Sequence, residues 1–278
     1  LQRYGVFQTS ITLNWTALPA SPQSASSRGY LIEASTTNFG ALSPGGVTFA
    51  SATPNVALST LTVAGLTPDA TYFLRAGALN WSGAANFLNP GSTSTLSVPP
   101  AAAALATLYT TSTTVTWDAV TSQGYRVEAS VNPTFTPVFF SSTASGGATA
   151  LTVTGLSANT SYYYRVASLN WNSARSYADL GRLSTLALPP VSPFYPNTGV
   201  FYSSATVQWT AVASRGYQLD ASTAPNFSGS VLFSSTTNGA ATSLVVANLD
   251  SGTTYYFRVG SLNWNSAPNY VVLSATAT

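Results

Sequence analysis

Few side chains in this sequence could carry out acid–base or nucleophilic chemistry. The 278 residues include no His, no Cys and no Lys, the groups that usually act as a base or nucleophile near neutral pH. Seven carboxylates remain: Glu33, Asp69, Asp118, Glu128, Asp179, Asp220 and Asp250. A glycosidase would use two of them as a pair, but no two lie two or three residues apart as in a calcium loop. We therefore predict no enzyme, no metal site and no cofactor.

Three of these acids occupy the same place in a repeated phrase. Glu33 and Glu128 open the phrase Glu-Ala-Ser, and Asp220 opens Asp-Ala-Ser. A position that recurs in every copy of a repeat is more simply structural than catalytic. The acids also alternate with apolar residues, which places them on the outer face of a half-buried strand.

A longer phrase is written three times and defines the domain organisation. It runs over residues 65–81, 155–171 and 248–264 and ends each time in Leu-Asn-Trp. The three Trp residues, Trp81, Trp171 and Trp264, are 90 and 93 residues apart, so one supersecondary unit has been repeated. We predict three domains, over residues 1–98, 99–189 and 190–278, and call them modules 1, 2 and 3.

The hydrophobic pattern of every module predicts strands. Apolar residues alternate with polar ones in short runs, and Gly or Pro interrupts the chain about every 10 residues. No stretch keeps a helical period, so we expect almost no helix. The dipeptides Pro99-Pro100 and Pro189-Pro190 favour extended, semi-rigid linkers. The sequence predicts an all-β protein of three sandwiches in an elongated rod.

These features resemble the fibronectin type III family over nearly the whole chain. The resemblance is carried by a Trp on the second strand, a Tyr on the third, and Leu-x-x-x-Thr/Ser-x-Tyr leading into a later strand. It implies seven-stranded sandwiches in which Tyr72, Tyr162 and Tyr255 form tyrosine corners. The shared Leu-Asn-Trp and Glu-Ala-Ser phrases resemble tandem repeats of large secreted bacterial proteins.

The resemblance also implies that the repeated acids face repeated arginines on a neighbouring strand. We predict cross-strand ion pairs, each worth about 0.2–1 kcal/mol if exposed. The pairs are Glu33–Arg75, Glu128–Arg165 and Asp220–Arg258. The alternative is that the repeated Arg grips a glycan.

Aromatic residues are the remaining candidates for an interface or a ligand site. Trp81, Trp171 and Trp264 either pack at module junctions or form a series of sugar-stacking platforms. We expect the preceding module to bury part of Trp171 and Trp264. Phe49, Phe139 and Phe233 lie in uncharged runs that match the edge strand of the resembling fold, and an unguarded edge is a pairing surface.

The low charge and the apolar pattern of the sequence also bear on its function. Only 6% of residues are charged and the net charge is +2 without a basic cluster, which argues against nucleic acid. No apolar run is long enough to span a membrane, and we expect a processed product or a piece of a longer array. We expect a non-enzymatic extracellular or cell-surface structural protein that self-associates into a filament, sheath or stalk. The alternatives are an adhesive or carbohydrate-binding array and an accessory segment of a larger secreted enzyme.

Overall fold

The computed structural model describes residues 1–39 and 47–278, and it confirms the all-β class. Apart from one turn of 3₁₀ helix at Gln23–Ala25, every regular element there is a strand. No helix in the described ranges is long and apolar enough to cross a bilayer.

The strands follow one another in the same order in each module. Module 1 contains β1 (Gln2–Val6), β2 (Ser10–Asn14), β3 (Gly29–Ser35), β4 (Thr48–Thr53), β5 (Thr60–Ala64), β6 (Thr71–Leu79) and β7 (Ala85–Ser94). Module 2 contains β8 (Ala101–Leu108), β9 (Ser112–Asp118), β10 (Gly124–Ser130), β11 (Phe139–Thr143), β12 (Ala150–Thr154), β13 (Ser161–Leu169) and β14 (Arg175–Ser184). Module 3 contains β15 (Val191–Phe194), β16 (Ser204–Thr210), β17 (Gly216–Ser222), β18 (Val231–Thr236), β19 (Ser243–Ala247), β20 (Thr254–Leu262), β21 (Pro268–Val272) and β22 (Thr276–Ala277).

Each module pairs a three-stranded sheet with a larger one. In module 2 the orders are β8-β9-β12 and β11-β10-β13-β14, and modules 1 and 3 repeat them, with β22 added beside β20. Every described ladder is antiparallel, and each sheet draws its strands from one predicted module. The structure thus confirms tandem fibronectin type III-like sandwiches, while the predicted boundaries remain predictions that this grouping supports.

A Trp stacked on a Tyr anchors the core between the two sheets. In module 2 the rings of Trp117 and Tyr125 lie 5.0 Å apart, and both side chains are buried. The Tyr125 hydroxyl accepts a hydrogen bond from the Val120 N–H at 2.7 Å, because a buried phenol needs a polar partner. The same stack occurs in Trp15–Tyr30 and Trp209–Tyr217.

A second buried Tyr holds the corner that leads into the central strand of the larger sheet. The Tyr162 hydroxyl accepts a hydrogen bond from the Ser157 N–H at 2.9 Å. Tyr72 and Tyr255 accept the equivalent bond at 3.0 Å from Thr67 and Asp250. The corner therefore fixes where β6, β13 and β20 begin, and those strands carry the repeated arginines.

We predict that Tyr162→Phe destabilises module 2 by about 1–3 kcal/mol, because it leaves the Ser157 N–H without its acceptor. The measurement is urea unfolding of the full chain with hydrogen exchange read over residues 161–169. The control is Tyr109→Phe, whose ring is 51% exposed. Equal losses in the two variants would show that the corner bond is not what holds β13.

Candidate functional site

The seven carboxylates are spread over the three modules, two or three in each. Across residues 1–39 and 47–278, no three His, Cys, Asp or Glu side chains lie close enough together to hold a metal ion. The candidate surfaces are instead the outer faces of the larger sheets, where the repeated acids lie, and the turns that carry the three exposed Trp.

The repeated acid lies directly opposite the repeated arginine in all three modules. The strand register pairs Glu33 with Arg75, Glu128 with Arg165 and Asp220 with Arg258. The Arg Nε lies 2.5, 2.8 and 2.8 Å from the carboxylate oxygen in modules 1, 2 and 3. Each pair is therefore a charge-assisted hydrogen bond as well as an ion pair.

These pairs are largely shielded from solvent, so the energy expected for exposed pairs does not apply to them. Glu128 and Asp220 are only 1% exposed, and less than a third of each arginine side chain is accessible. The physical reason is a pair of aromatic rings that covers each guanidinium. The rings are Phe39 and Phe87 in module 1, Phe135 and Tyr177 in module 2, and Phe227 and Tyr270 in module 3.

One of the two rings over each guanidinium belongs to a residue with an unusual backbone conformation. Phe39, Phe135 and Phe227 have φ values of 59°, 55° and 56°, in the left-handed region that a bulky residue rarely adopts. Such a conformation costs of order 1–3 kcal/mol and persists where surrounding contacts favour it. Here the favourable contact is the ring face 3.8 to 4.2 Å from the guanidinium carbon.

Module 2 carries additional charge around its buried acid. Arg126 Nε donates to Glu128 Oε1 at 2.6 Å, and Arg175 lies 3.7 Å from the same oxygen. Burial alone would raise the pKa of Glu128, but the hydrogen bonds and charges of Arg165 and Arg126 hold that pKa below its ordinary value. In module 3, Gln218 Nε2 takes the place of Arg126 and donates to Asp220 Oδ1 at 2.7 Å.

Trp171 and Trp264 lie at the junctions and are each more than half exposed, and Trp264 lines a groove together with Val131, Asn159 and Arg182 of module 2. Their exposures are 63% and 57%, against 56% for Trp81, which follows no other described module. Partial burial of the indoles by the preceding module therefore stays a prediction. The residue just before each Trp makes hydrogen bonds across the junction.

Asn170 and Asn263 are buried at the two junctions, at 2% and 0% exposed. The Oδ1 atom of Asn170 accepts from the N–H groups of Asn172 and Ala174 within its own turn, at 3.0 and 2.8 Å. Its Nδ2 donates to the carbonyls of Ser94 and Thr95 in module 1, at 3.2 and 2.9 Å. One side-chain amide thus closes its own turn and also hydrogen-bonds to the preceding module.

The second junction repeats these contacts. Asn263 Nδ2 donates to the Ser184 and Thr185 carbonyls at 3.0 and 3.2 Å, while its Oδ1 accepts from the N–H groups of Asn265 and Ala267. Asn265 Oδ1 accepts from the Ser184 N–H at 2.6 Å, as Asn172 Oδ1 does from the Ser94 N–H at 2.7 Å.

A buried acid lies at the first junction. Gln123 Nε2 of module 2 donates to Asp69 Oδ2 of module 1 at 3.0 Å. Asp69 is 5% exposed, and burial raises its pKa although bonds from Gln123 and the Trp171 N–H oppose that rise. Asn159 takes the same place in module 2 and donates to the Ala213 carbonyl of module 3.

The phenylalanines of the edge runs do not share one role. β4, β11 and β18 are edge strands of their sheets, but the register aligns Phe49 with Phe139 and with Leu232. Phe49 and Phe139 pack edge-on against the corner tyrosines at about 6 Å. Phe233 instead points outward and is 64% exposed, as is Phe140 at 53%.

One repeated residue in the sequence could have indicated the junction contacts, but we did not use it in the prediction. Asn80, Asn170 and Asn263 precede the three Trp in the repeated Leu-Asn-Trp ending, so the Asn recurs as strictly as the Trp. Two aromatic rings also cover the repeated Arg in every module, but the two rings come from separate parts of the chain. Their convergence on one guanidinium has no local signature.

We predict that Arg258→Gln destabilises module 3 by about 3–5 kcal/mol, because it leaves Asp220 buried without a cation. Arg165→Gln should cost module 2 less, because Arg126 remains bound to Glu128. Hydrogen exchange of the full chain, compared between residues 254–262 and 161–169, measures the two losses separately. A larger loss for Arg165→Gln would contradict this assignment.

We predict that Asp69→Asn stabilises the first junction at neutral pH, because the amide brings no charge into this buried position. A raised pKa means that the folded protein binds a proton that the unfolded chain has released, so the contribution of Asp69 falls as pH rises through its folded pKa. The gain should therefore vanish below the ordinary Asp pKa. Thermal unfolding across pH measures it, with Asp118→Asn, on an exposed carboxylate, as control.

Comparison of the sequence with family models and with curated proteins gives no match. Among solved structures, the chain is similar to the FN1–FN3 domains of chicken CNTN1. The two are 16% identical, the match covers 100% of this chain and 97% of that chain, and the TM-score is 0.34. It is also similar to a two-domain fibronectin type III segment of chicken tenascin, at 19% identity, 63% and 98% coverage and a TM-score of 0.32. These scores are low, and the fold assignment rests on the strand order and register described above.

Proposed function

We propose that this chain is a non-enzymatic extracellular structural protein, the subunit of a surface filament, sheath or stalk built from repeated sandwiches. The observation that carries the proposal is the pair of matching junctions. At each one a buried Asn amide from one module binds two backbone carbonyls of the module before it. A chain that only tethered separate binding modules would not need fixed junctions.

The rigidity of the junctions follows from which groups donate and accept their hydrogen bonds. The acceptors are backbone carbonyls next to a strand end, and the donor amide is itself held by two turn N–H groups. Neither side can rotate without leaving a buried polar group unpaired, which costs about 1–3 kcal/mol each. Such modules suit a load-bearing or spacing role.

Unguarded sheet edges support assembly of several chains. Edge strands are usually blunted by charge or by Pro, yet β11 and β18 contain neither. Phe140 and Phe233 project from them into solvent. Lateral pairing through these edges would cover the rings and satisfy the free backbone groups.

Exposed Trp residues favour a second function, an adhesive or carbohydrate-binding array. Trp81, Trp171 and Trp264 stand at equivalent turns and remain more than half exposed. An exposed aromatic ring is a platform on which a sugar can stack, and three in series would give avidity.

We predict that the parent chain forms long fibres and that the double variant Phe140→Glu/Phe233→Lys stays dispersed. The variant leaves the net charge unchanged. Because Phe140 lies opposite Glu128 and under the Arg126 guanidinium, and Phe233 lies opposite Asp220, hydrogen exchange checks that the variant keeps its fold. Sedimentation velocity and negative-stain imaging measure assembly. The matched control is Phe201→Glu/Tyr202→Lys, two exposed aromatic residues outside the strands.

A parent chain that remains a monomer at high concentration would overturn the filament proposal. The glycan alternative is tested separately by replacing Trp81, Trp171 and Trp264 with Ala. Loss of retention on immobilised polysaccharides with unchanged assembly would favour the alternative, whereas unchanged retention would reject it.

A further inference from the structure

The outer face of the larger sheet carries more positive charge in module 2 than in modules 1 and 3. The repeated acid and the repeated Arg lie on this face in every module, and their charges cancel. In module 2 the strand register adds Arg126, Arg175, Arg182 and Asp179 to the same face. The three added Arg correspond to Leu31, Ala85 and Ser92 in module 1, and the first two correspond to Gln218 and Pro268 in module 3. The excess is therefore specific to module 2.

All of the net charge of the chain lies on this face, although its four Arg are not clustered in sequence. The charges outside the three outer faces are Arg3, Arg28 and Arg215 against Asp69, Asp118 and Asp250, which cancel. What remains of the net charge of +2 is the excess of Arg126, Arg165, Arg175 and Arg182 over Glu128 and Asp179. Like charges on neighbouring strands repel each other, and a surface of one sign attracts ligands of the other. In a chain with so few charges, this concentration indicates an anionic ligand.

Arg182 is available to such a ligand. Among residues 1–39 and 47–278, no carboxylate forms an ion pair with Arg182, whereas Glu128 pairs with the other three Arg of the face. The Arg182 side chain is exposed, and its guanidinium carbon lies 5.6 Å from the centre of the Tyr163 ring. A guanidinium is a planar fork of donors that binds a carboxylate through two parallel hydrogen bonds. Arg182 therefore fits a carboxylate better than a neutral group.

Arg182 and the exposed indole of Trp264 line one groove, where modules 2 and 3 meet. The groove has a volume of about 410 Å³, and its other walls include Val131, Asn159 and Ser161. A volume of this size is within the range of sites for small ligands, about 300–1,000 Å³. The Trp264 indole is 57% exposed, so it can stack against the face of a sugar ring. The groove thus combines a stacking surface with a carboxylate-binding group.

A second depression continues from this groove along module 2. It has a volume of about 280 Å³ and is lined by Arg165, Asp179 and Gly181, among others. Gly181 is the chain neighbour of Arg182, so the two depressions adjoin. Arg175 lies farther along β14, about 23 Å from Arg182 at a rise of about 3.3 Å per residue. This length suits a chain of several sugars rather than a single one.

We propose that this face of module 2 binds a linear polysaccharide of uronic acids, with one ring stacked on Trp264 and its carboxylate bound by Arg182. The proposal rests on the glycan-binding function given above as the second candidate, and it names the ligand and its place. A uronic acid unit carries a ring face of C–H bonds and a carboxylate, the two features that the groove would contact. An acidic peptide has the carboxylates without the ring face. Nucleic acid fits less well, because an excess of two charges neutralises few phosphates.

The first junction provides a comparison within the same chain. Its indole, Trp171, has Asp69 where Trp264 has Asn159, and Ser92 where Trp264 has Arg182. The Trp171 N–H donates a hydrogen bond to the Asp69 carboxylate. A carboxylate beside the indole and no Arg across from it disfavour an acidic sugar. Binding is therefore expected at the second junction and not at the first.

The test titrates the dispersed full chain with an oligogalacturonate of defined length by isothermal calorimetry. We expect saturable binding at one site per chain that weakens as salt is raised, since salt screens exposed charges. The matched control is the methyl ester of the same oligosaccharide, which keeps the rings and loses the charges. The ester should bind about tenfold more weakly, because it cannot form the charged hydrogen bonds to Arg182.

Variants of the chain separate the contributions to affinity. Arg182→Gln should lower affinity for the oligogalacturonate about tenfold, the effect of one charged hydrogen bond. Trp264→Ala should lower it about fivefold through loss of the stacked ring. Asp179→Asn should raise it about twofold, because a like charge beside the ligand is removed. The controls, Arg28→Gln and Trp171→Ala, change an exposed Arg and an exposed indole elsewhere and should leave affinity unchanged.

Several results would overturn the proposal. They are no saturable binding up to about 1 mM oligosaccharide, equal affinity for the ester, or an unchanged affinity of the Arg182→Gln variant. Polyglutamate that binds as tightly as the oligogalacturonate would overturn it in favour of an acidic peptide. Equal affinity for acid and ester, lost when all three exposed Trp are replaced, would leave the glycan-binding function standing and reject its acidic ligand. The titration uses dispersed chains, so its outcome does not depend on fibre formation.

Discussion

The buried side-chain amide of the Leu-Asn-Trp turn is the contact on which the arrangement of the modules depends. Asn170 and Asn263 use both ends of one amide, the oxygen to close their own turn and the nitrogen to hold the preceding module. An amide can do this because it carries an acceptor and two donors on one rigid plane. A carboxylate or an ammonium offers only half of that chemistry and would bring an uncompensated charge into the junction.

Several of the few charged side chains of this protein are placed in buried or shielded ion pairs. Ion pairs at a protein surface contribute little because water competes for them. Here the carboxylates of Glu128 and Asp220 are buried, and the guanidinium that neutralises each one is itself covered by two rings. The arrangement lowers water access to the pair, so breaking it would be far more costly than breaking an exposed pair. Stability and a nearly uncharged surface are thereby obtained together.

Sequence reasoning predicted what alternation and repetition determine. The period of two gave the strands, and residue parity gave the acid–arginine pairs, because both depend on neighbours along one or two strands. Burial of those pairs escaped prediction, since Phe135 and Tyr177 reach Arg165 from different parts of the chain. The role of the junction Asn was not predicted for a related reason. Trp171 and Asn170 are adjacent in sequence, and only the geometry of the turn decides which side chain faces the preceding module. Phe233 was misaligned by one residue, which in a strand reverses the face that a side chain occupies.

Differences among the three modules carry more functional information than their common features. A residue retained in all three, such as the corner tyrosine, serves the fold of each module. A residue that differs at one otherwise repeated place reflects what that module meets. Module 1 has Ala78 and Ser82 where the other modules use Ser and Asn to hold a linker, yet it retains Asn80 in the same turn. Its junction face thus offers fewer hydrogen-bonding groups than the internal ones, although the turn itself is closed in the same way.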